Sequence, residues 1–110
     1  MPLELNHKIA VYVPSTMSID KPDNAAQLAM IDLIARDLST RYGGATSESV
    51  TGYWVSDTAG LVKESPVRVW AYADNGYGLK DCAIALAERV KSEMSQDAVL
   101  CEVDGVGILV

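Results

Sequence analysis

The side chains that could perform chemistry are few in this chain and lie far apart in its sequence. His7 is the single histidine, so a Ser–His–Asp or Cys–His arrangement would have to use it, and it stands at the start of a predicted strand. No serine lies in a Gly-x-Ser-x-Gly segment, and Cys82 and Cys101 lack the spacing of a zinc site. We therefore expect no catalytic residue, no metal site and no cofactor.

Three carboxylates, Glu48, Asp57 and Glu64, bracket a predicted hairpin. Paired carboxylates can bind a divalent metal or act as acid and base. Here they are spread along exposed or edge segments, and Arg68 follows Glu64 four residues later as a potential ion partner. We interpret all three as solvated charges.

A glycine pair at Gly43 and Gly44 gives the segment Tyr42–Thr46 a superficial likeness to a phosphate-binding loop. The segment follows a predicted helix instead of preceding one, so the helix dipole points away from any anion. It also lacks the lysine of a P-loop. The pair is therefore interpreted as the end of a helix.

Length and charge limit the class of protein. A chain of 110 residues allows one domain, residues 1–110, with one hydrophobic core. The formal net charge of −6 argues against nucleic acid as a partner, because phosphate contacts require clustered Lys and Arg. Such a charge favours solubility and also suits binding to a basic protein surface.

The expected compartment is the cytoplasm. The N-terminal segment has no basic stretch followed by a long apolar run, so it does not read as a signal peptide. No apolar stretch approaches the roughly 20 residues of a membrane span. Cys82 and Cys101 both fall on apolar faces of predicted elements, which is typical of free, reduced cysteines.

The apolar pattern and the turn residues predict two helices and five strands. The strands span 8–13, 49–56, 61–73, 98–103 and 106–110, and the second helix spans 79–94. Pro66 interrupts the third strand. Asp57 to Gly60 and Asp104-Gly105 are predicted hairpin turns, and the second of these has the sequence of a type I′ turn.

The first helix is predicted to begin at an Asp20 N-cap and to end before Gly43. Its apolar stripe includes Leu28, Ile31, Ile34, Ala35, Leu38 and Tyr42. The resulting order β-α-β-β-α-β, with one further short strand, predicts an α+β ferredoxin-like plait, in which two helices cover one face of an antiparallel sheet.

An aromatic set on the uncovered sheet face is the most informative feature. If the small residues of the first and third strands face the helices, Tyr12, Arg68, Trp70 and Tyr72 share the other face, joined by Leu100 and by Tyr53 or Trp54. Exposed apolar patches usually mark an interface or a ligand groove. We therefore predict this face as the binding site.

Four short segments resemble small uncharacterised proteins of bacterial plasmids and phages. They are VYVPST at 11–16, GGAT at 43–46, Gly-x-Trp at 52–54 and Gly-Leu-Val-x-Glu at 60–64. The resemblance implies a mobile-element setting, where small acidic proteins often bind and block host factors. It implies no catalytic residues.

These observations predict a non-catalytic, acidic protein-binding module, such as a mobile-element inhibitor of a host defence factor. The expected partners are a second copy of the chain, in a homodimer, and a host protein with a basic surface, but neither nucleic acid nor a membrane. The alternative is a small-ligand-binding or enzymatic dimeric domain of the α+β-barrel type that uses the open sheet face. The two differ in whether that face meets a protein or forms a concave pocket with convergent polar groups.

Overall fold

The computed structural model of the protein describes residues 1–18 and 21–110. Within these ranges, two helices, α1 (Asn24–Tyr42) and α2 (Leu79–Glu93), accompany nine strands. The strands are β1 (His7–Val13), β2 (Thr16–Met17), β3 (Lys21–Pro22), β4 (Thr46–Ser49), β5 (Gly52–Ser56), β6 (Gly60–Glu64), β7 (Val67–Ala73), β8 (Leu100–Val103) and β9 (Val106–Leu109).

The main sheet has the strand order β4-β7-β1-β8-β9, and every neighbouring pair in it is antiparallel. Both helices pack on one face, where the core combines alternate residues of β1 and β7 with one stripe of each helix. Ile9, Val11 and Val69 are fully buried there. The predicted ferredoxin-like α+β fold is therefore confirmed, with β1 and β7 as central strands.

Helix α1 begins at Asp23, whose carboxylate accepts a hydrogen bond from the Ala26 N–H at 3.0 Å. The predicted cap, Asp20, lies outside the described residues. The predicted end of the helix is confirmed, because Gly43 takes a left-handed φ of +90°. The predicted apolar stripe is wrong at Leu28, which is 62% exposed, because Gln27 turns inward in the first turns instead.

The predicted second and third strands each divide into two. The segment at 46–56 forms β4 and β5, and the segment at 60–73 forms β6 and β7. Pro66 has no N–H for the ladder, and its carbonyl instead accepts from the Val50 N–H at 3.0 Å. Strands β5 and β6 consequently leave the main sheet as a separate two-stranded hairpin, called here the β5–β6 hairpin.

Two turns follow their predicted chemistry. The β5–β6 hairpin closes through Asp57–Ala59, and Gly60 follows at a φ of +72°. Strands β8 and β9 are joined by Asp104 and Gly105, at φ values of +52° and +82°, as a type I′ turn requires. Among the described residues, no helix is long and apolar enough to span a membrane.

Candidate ligand pocket and the aromatic sheet face

The pairing of β1 with β7 brings the predicted aromatic set together on the uncovered face of the sheet. Tyr12 lies opposite Arg68, Ala10 opposite Trp70, and Lys8 opposite Tyr72. The Trp70 and Tyr72 rings meet edge to face, with centroids 5.2 Å apart. The Trp70 ring is less exposed than the sequence suggests, because the Lys8 ammonium lies 4.2 Å from its centroid.

Arg68 is held within this face by carboxylates. Its Nη2 and Nε donate to Oε1 of Glu102 at 2.7 and 3.1 Å, and its Nη1 lies 3.4 Å from Glu48. The Tyr12 hydroxyl is 3.5 Å from the same Glu102 oxygen. The suggested pairing of Arg68 with Glu64 is therefore wrong, because the strand break at Pro66 separates the two side chains.

A concave pocket of about 580 Å³ opens where the β5–β6 hairpin leaves the sheet. We call it the hairpin-root pocket. Its lining residues are Tyr12, Pro14, Val50, Thr51, Gly52, Tyr53, Trp54, Glu64, Pro66, Gln96, Asp97, Ala98, Val99, Leu100 and Leu109. The volume lies within the usual range of about 300–1,000 Å³ for small-molecule sites.

Two walls and a floor form this pocket. One wall is the root of the β5–β6 hairpin, and the other is the connection from α2 into β8. The end of β1, which lies between β7 and β8 in the sheet, forms the floor. Of the predicted binding residues, Tyr12, Tyr53, Trp54 and Leu100 line the pocket, whereas Arg68, Trp70 and Tyr72 lie outside its lining.

Glu64 supplies a carboxylate to the hairpin wall. The Trp54 indole N–H donates to its Oε1 at 3.0 Å, because both residues lie on the same face of the hairpin. Glu64 is half-buried. Within residues 1–18 and 21–110, no Lys, Arg or His lies within ion-pair distance of it. A half-buried carboxylate beside aromatic rings can attract a positively charged ligand group.

His7 lies at the other end of β1 from this pocket. Its Nδ1 is 2.8 Å from Oδ2 of Asp104, and Oδ1 of that carboxylate accepts from the Lys8 N–H, also at 2.8 Å. The hydrogen bond to His7, supported by the one from Lys8, lowers the pKa of Asp104 below its ordinary value of 3.8. The pair therefore clamps the β8–β9 turn to β1, at a distance from the pocket.

The other residues considered for chemistry are dispersed. Asp57 lies at the tip of the hairpin, Cys101 is buried in the core, and Cys82 is half-buried on α2. No group of three potential metal ligands occurs among the described residues.

Sequence reasoning missed Gln96 and Asp97 and assigned Glu64 to solvent. Gln96 and Asp97 follow a helix end, a position usually occupied by solvated polar residues. The available signal was the short spacing of Trp54 and Glu64 across a predicted hairpin turn, which antiparallel pairing converts into a contact.

The fold of the chain is that of an α+β protein with a ligand-sized pocket at its sheet. It is similar to a phage SAM lyase solved in complex with S-methyl-5′-thioadenosine, with a TM-score of 0.70 at 17% sequence identity, over 100% of this chain and 93% of that chain. A phage SAM lyase in its apo state matches with a TM-score of 0.64 at 15% identity, over 96% of this chain and 88% of that chain. No protein-family model and no curated protein matches the chain.

These likenesses contradict the expected non-catalytic protein-binding module and the expectation that the chain is not an enzyme. Both structural neighbours are lyases with this fold, so the findings favour the small-ligand or enzymatic alternative. Sequence reasoning erred because the pocket walls come from segments far apart in the chain. The resemblance to plasmid and phage proteins stays a prediction, as do the expected partners.

Proposed function

We propose that the protein cleaves S-adenosylmethionine, as a SAM lyase, in the hairpin-root pocket. The observation that carries this proposal is the half-buried Glu64 carboxylate, which no described cation neutralises, inside a pocket of ligand size. The similarity in fold to phage SAM lyase, along the whole chain, supports it.

The pocket suits a sulfonium substrate. S-adenosylmethionine carries a positive charge on sulfur, and cations of this kind bind to aromatic faces and carboxylates. Tyr12, Tyr53 and Trp54 provide the aromatic lining and Glu64 provides the carboxylate. Because Trp54 already donates to Oε1, the other oxygen of Glu64 is directed by that contact and is available to the substrate.

The bond that we propose to be broken follows from the chemistry of the compound bound in the structural neighbour. S-methyl-5′-thioadenosine keeps the methyl and adenosyl groups of S-adenosylmethionine, so the bond from sulfur to the four-carbon amino-acid chain breaks. The electron pair of that bond stays on sulfur, which becomes a neutral thioether. The four-carbon fragment is released in one of two forms. It becomes an alkene if Glu64 accepts a proton from the β-carbon of the amino-acid chain as the bond to sulfur breaks. It becomes a ring if the carboxylate of the amino-acid chain attacks the carbon that was bonded to sulfur.

The charge on sulfur changes during this step, from a cationic sulfonium before cleavage to a neutral thioether afterwards. The aromatic rings and the Glu64 carboxylate attract the cation, so they favour binding of the substrate over binding of the neutral product. On the route to the alkene, Glu64 contributes to the rate as the base that accepts the proton.

The experiment is to incubate the purified protein with S-adenosylmethionine and to follow S-methyl-5′-thioadenosine by chromatography at 260 nm. We expect release of the thioether by the wild type and a rate lowered by about 100-fold or more in Glu64→Gln. Binding of the neutral thioether should be little changed in that variant, because it carries no charge for Glu64 to balance. Proton NMR of the second product distinguishes the alkene from the ring.

Asp57→Asn is the matched control. It removes one carboxylate from the same hairpin at a position outside the pocket lining, so it should keep full activity. Absence of product with the wild type would refute the proposed activity, whereas full activity of Glu64→Gln would refute only the role given to Glu64.

A further inference from the structure

Gln96 lies in the wall of the hairpin-root pocket that connects α2 to β8, and its backbone is fixed by the end of α2. Ser95 takes a left-handed φ of +52°, and the Gln96 N–H donates to the Lys91 carbonyl at 3.0 Å. This is the pattern of hydrogen bonds that closes a helix at its C-terminus. Gln96 therefore occupies a defined place in the pocket lining.

The orientation of the Gln96 amide is fixed by its surroundings. Its Nε2 lies 2.8, 3.0 and 3.1 Å from the carbonyl oxygens of Thr16, Met94 and Ser18, respectively. A carbonyl oxygen only accepts hydrogen bonds, so the amide atom that faces all three must be the NH₂ nitrogen. Rotation of the amide by 180° would place four acceptors against one another.

Oε1 is consequently the atom of Gln96 that remains for a ligand. Across residues 1–18 and 21–110, no hydrogen bond to Oε1 is present, and the residue is half-buried. Because the Gln96 NH₂ group is engaged with the three carbonyls, the side chain offers a ligand a hydrogen-bond acceptor and no donor. It therefore favours a ligand group that donates a hydrogen bond.

We infer that Gln96 is the specificity-determining residue for the base of the ligand, and that its Oε1 accepts a hydrogen bond from the 6-amino group of adenine. This inference rests on the proposed function. Gln96 and Glu64 line the same pocket, Glu64 on the hairpin wall and Gln96 on the wall that connects α2 to β8. The 6-amino group and the sulfur lie at opposite ends of a 5′-thioadenosine, so one ligand can engage both residues.

The neighbouring lining residues agree with this orientation. Ala98, Val99 and Leu100 follow Gln96 in the same wall and provide apolar surface for a base. A 6-oxo base would instead direct an acceptor toward Oε1. Leaving a buried acceptor unpaired lowers affinity by roughly ten- to a hundred-fold.

The test is the affinity of the protein for S-methyl-5′-thioadenosine relative to S-methyl-5′-thioinosine, which differs at position 6 of the base. We expect the wild type to prefer the adenine compound by roughly ten- to a hundred-fold, measured by calorimetry. Gln96→Met should lose most of that preference. A purely structural role in holding the 16–18 loop would weaken both compounds equally and leave the ratio unchanged.

Gln96→Lys is a second variant, which keeps the test valid if Gln96→Met does not fold. Its ammonium can still donate to the three carbonyls, but it has no acceptor, so it too should lose the preference. Ser95→Asn, at the preceding exposed position outside the pocket lining, should retain it, because asparagine tolerates the left-handed φ of that residue.

The possible outcomes separate the inference from the proposed function. A wild type that cleaves S-adenosylmethionine and binds both nucleosides equally would refute the inference alone, as would Gln96 variants that keep the full preference. A wild type that neither cleaves S-adenosylmethionine nor binds the thioadenosine would overturn the proposed function and this inference with it.

Discussion

At the scale of single residues, two half-buried carboxylates differ in their partners, because Glu102 is neutralised and Glu64 has no ion-pair partner among the described residues. Glu102 is paired with Arg68, and the exposed fractions of the two side chains are 21% and 12%. Among the described residues, the side chain of Glu64 has an indole N–H as its only hydrogen-bond partner. Burial makes an unpaired carboxylate costly, so Arg68 stabilises the fold by pairing with Glu102, whereas the Glu64 carboxylate is open to a cationic ligand.

Replacement of Arg68 by methionine tests the structural pair. The Glu102 carboxylate would be left partly buried without its cation, so we expect the free energy of unfolding to fall by about 1–3 kcal/mol in urea titrations. Arg89→Met is the control, because Arg89 and Glu93 are 55% and 48% exposed. That change should cost less than about 0.5 kcal/mol. Equal losses in the two variants would contradict this difference.

At the scale of elements, the β8–β9 turn is fastened to the first strand. The Asp104 N–H donates to the Lys8 carbonyl at 2.9 Å, and its carboxylate accepts from Lys8 and contacts His7. One residue therefore closes the turn and extends the pairing of β1 with β8 beyond Ile9 and Val103.

The lowered pKa of Asp104 makes this fastening dependent on pH. A carboxyl group whose pKa is lower in the folded state stabilises the fold above its unfolded value, here 3.8, and this stabilisation is lost as the pH falls through the lower folded value. We expect wild type to be more stable than Asp104→Asn at pH 7 and 5, and the difference to shrink below pH 3.8. Asparagine also tolerates the left-handed φ of this turn.

Urea titrations of both proteins between pH 7 and 3 measure that difference. Asp57→Asn, at the exposed hairpin tip, should show no corresponding change with pH. A stability difference between wild type and Asp104→Asn that is independent of pH would mean that the carboxylate charge has no part in the fastening.

At the scale of the whole molecule, two apolar surfaces lie outside the hydrophobic core, one on the β5–β6 hairpin and one on the open sheet face. The β5–β6 hairpin exposes Tyr53, Val55 and Leu61, and an isolated two-stranded hairpin is only marginally stable in water. On the open sheet face Tyr72, Leu100 and Leu109 are exposed, whereas Tyr12 and Trp70 are half-buried. We propose that a second copy of the chain covers this face, as the sequence predicts.

Substitution of Tyr72 tests that proposal. The residue is 45% exposed, so glutamate at this position should disturb association without disturbing the fold. A central tyrosine typically contributes about 2 kcal/mol to an interface. In a two-fold dimer the loss is counted twice, so dimerisation should weaken by roughly a thousand-fold. Sedimentation velocity measures this, with Tyr77→Glu in an exposed loop as the control. A monomeric wild type at high concentration would refute the dimer.

The sequence alone determined most of the fold. The alternation in β1 and β7, the glycines after α1 and the Asp104-Gly105 turn all depend on residues close together in the chain, so their patterns predict local structure directly. The position of Tyr12, Arg68, Trp70 and Tyr72 on one face followed from the same alternation once β1 and β7 were placed side by side.

Only the tertiary structure decided where the pocket lies and which of its groups are unpaired. The lining combines residues 12–14, 50–54, 64–66 and 96–100, which no local pattern connects. Arg68 is four residues from Glu64 but pairs with Glu102, 34 residues away, because the break at Pro66 turns the hairpin out of the sheet. The lack of a cation beside Glu64 among the described residues and the orientation of the Gln96 amide are therefore set by long-range packing.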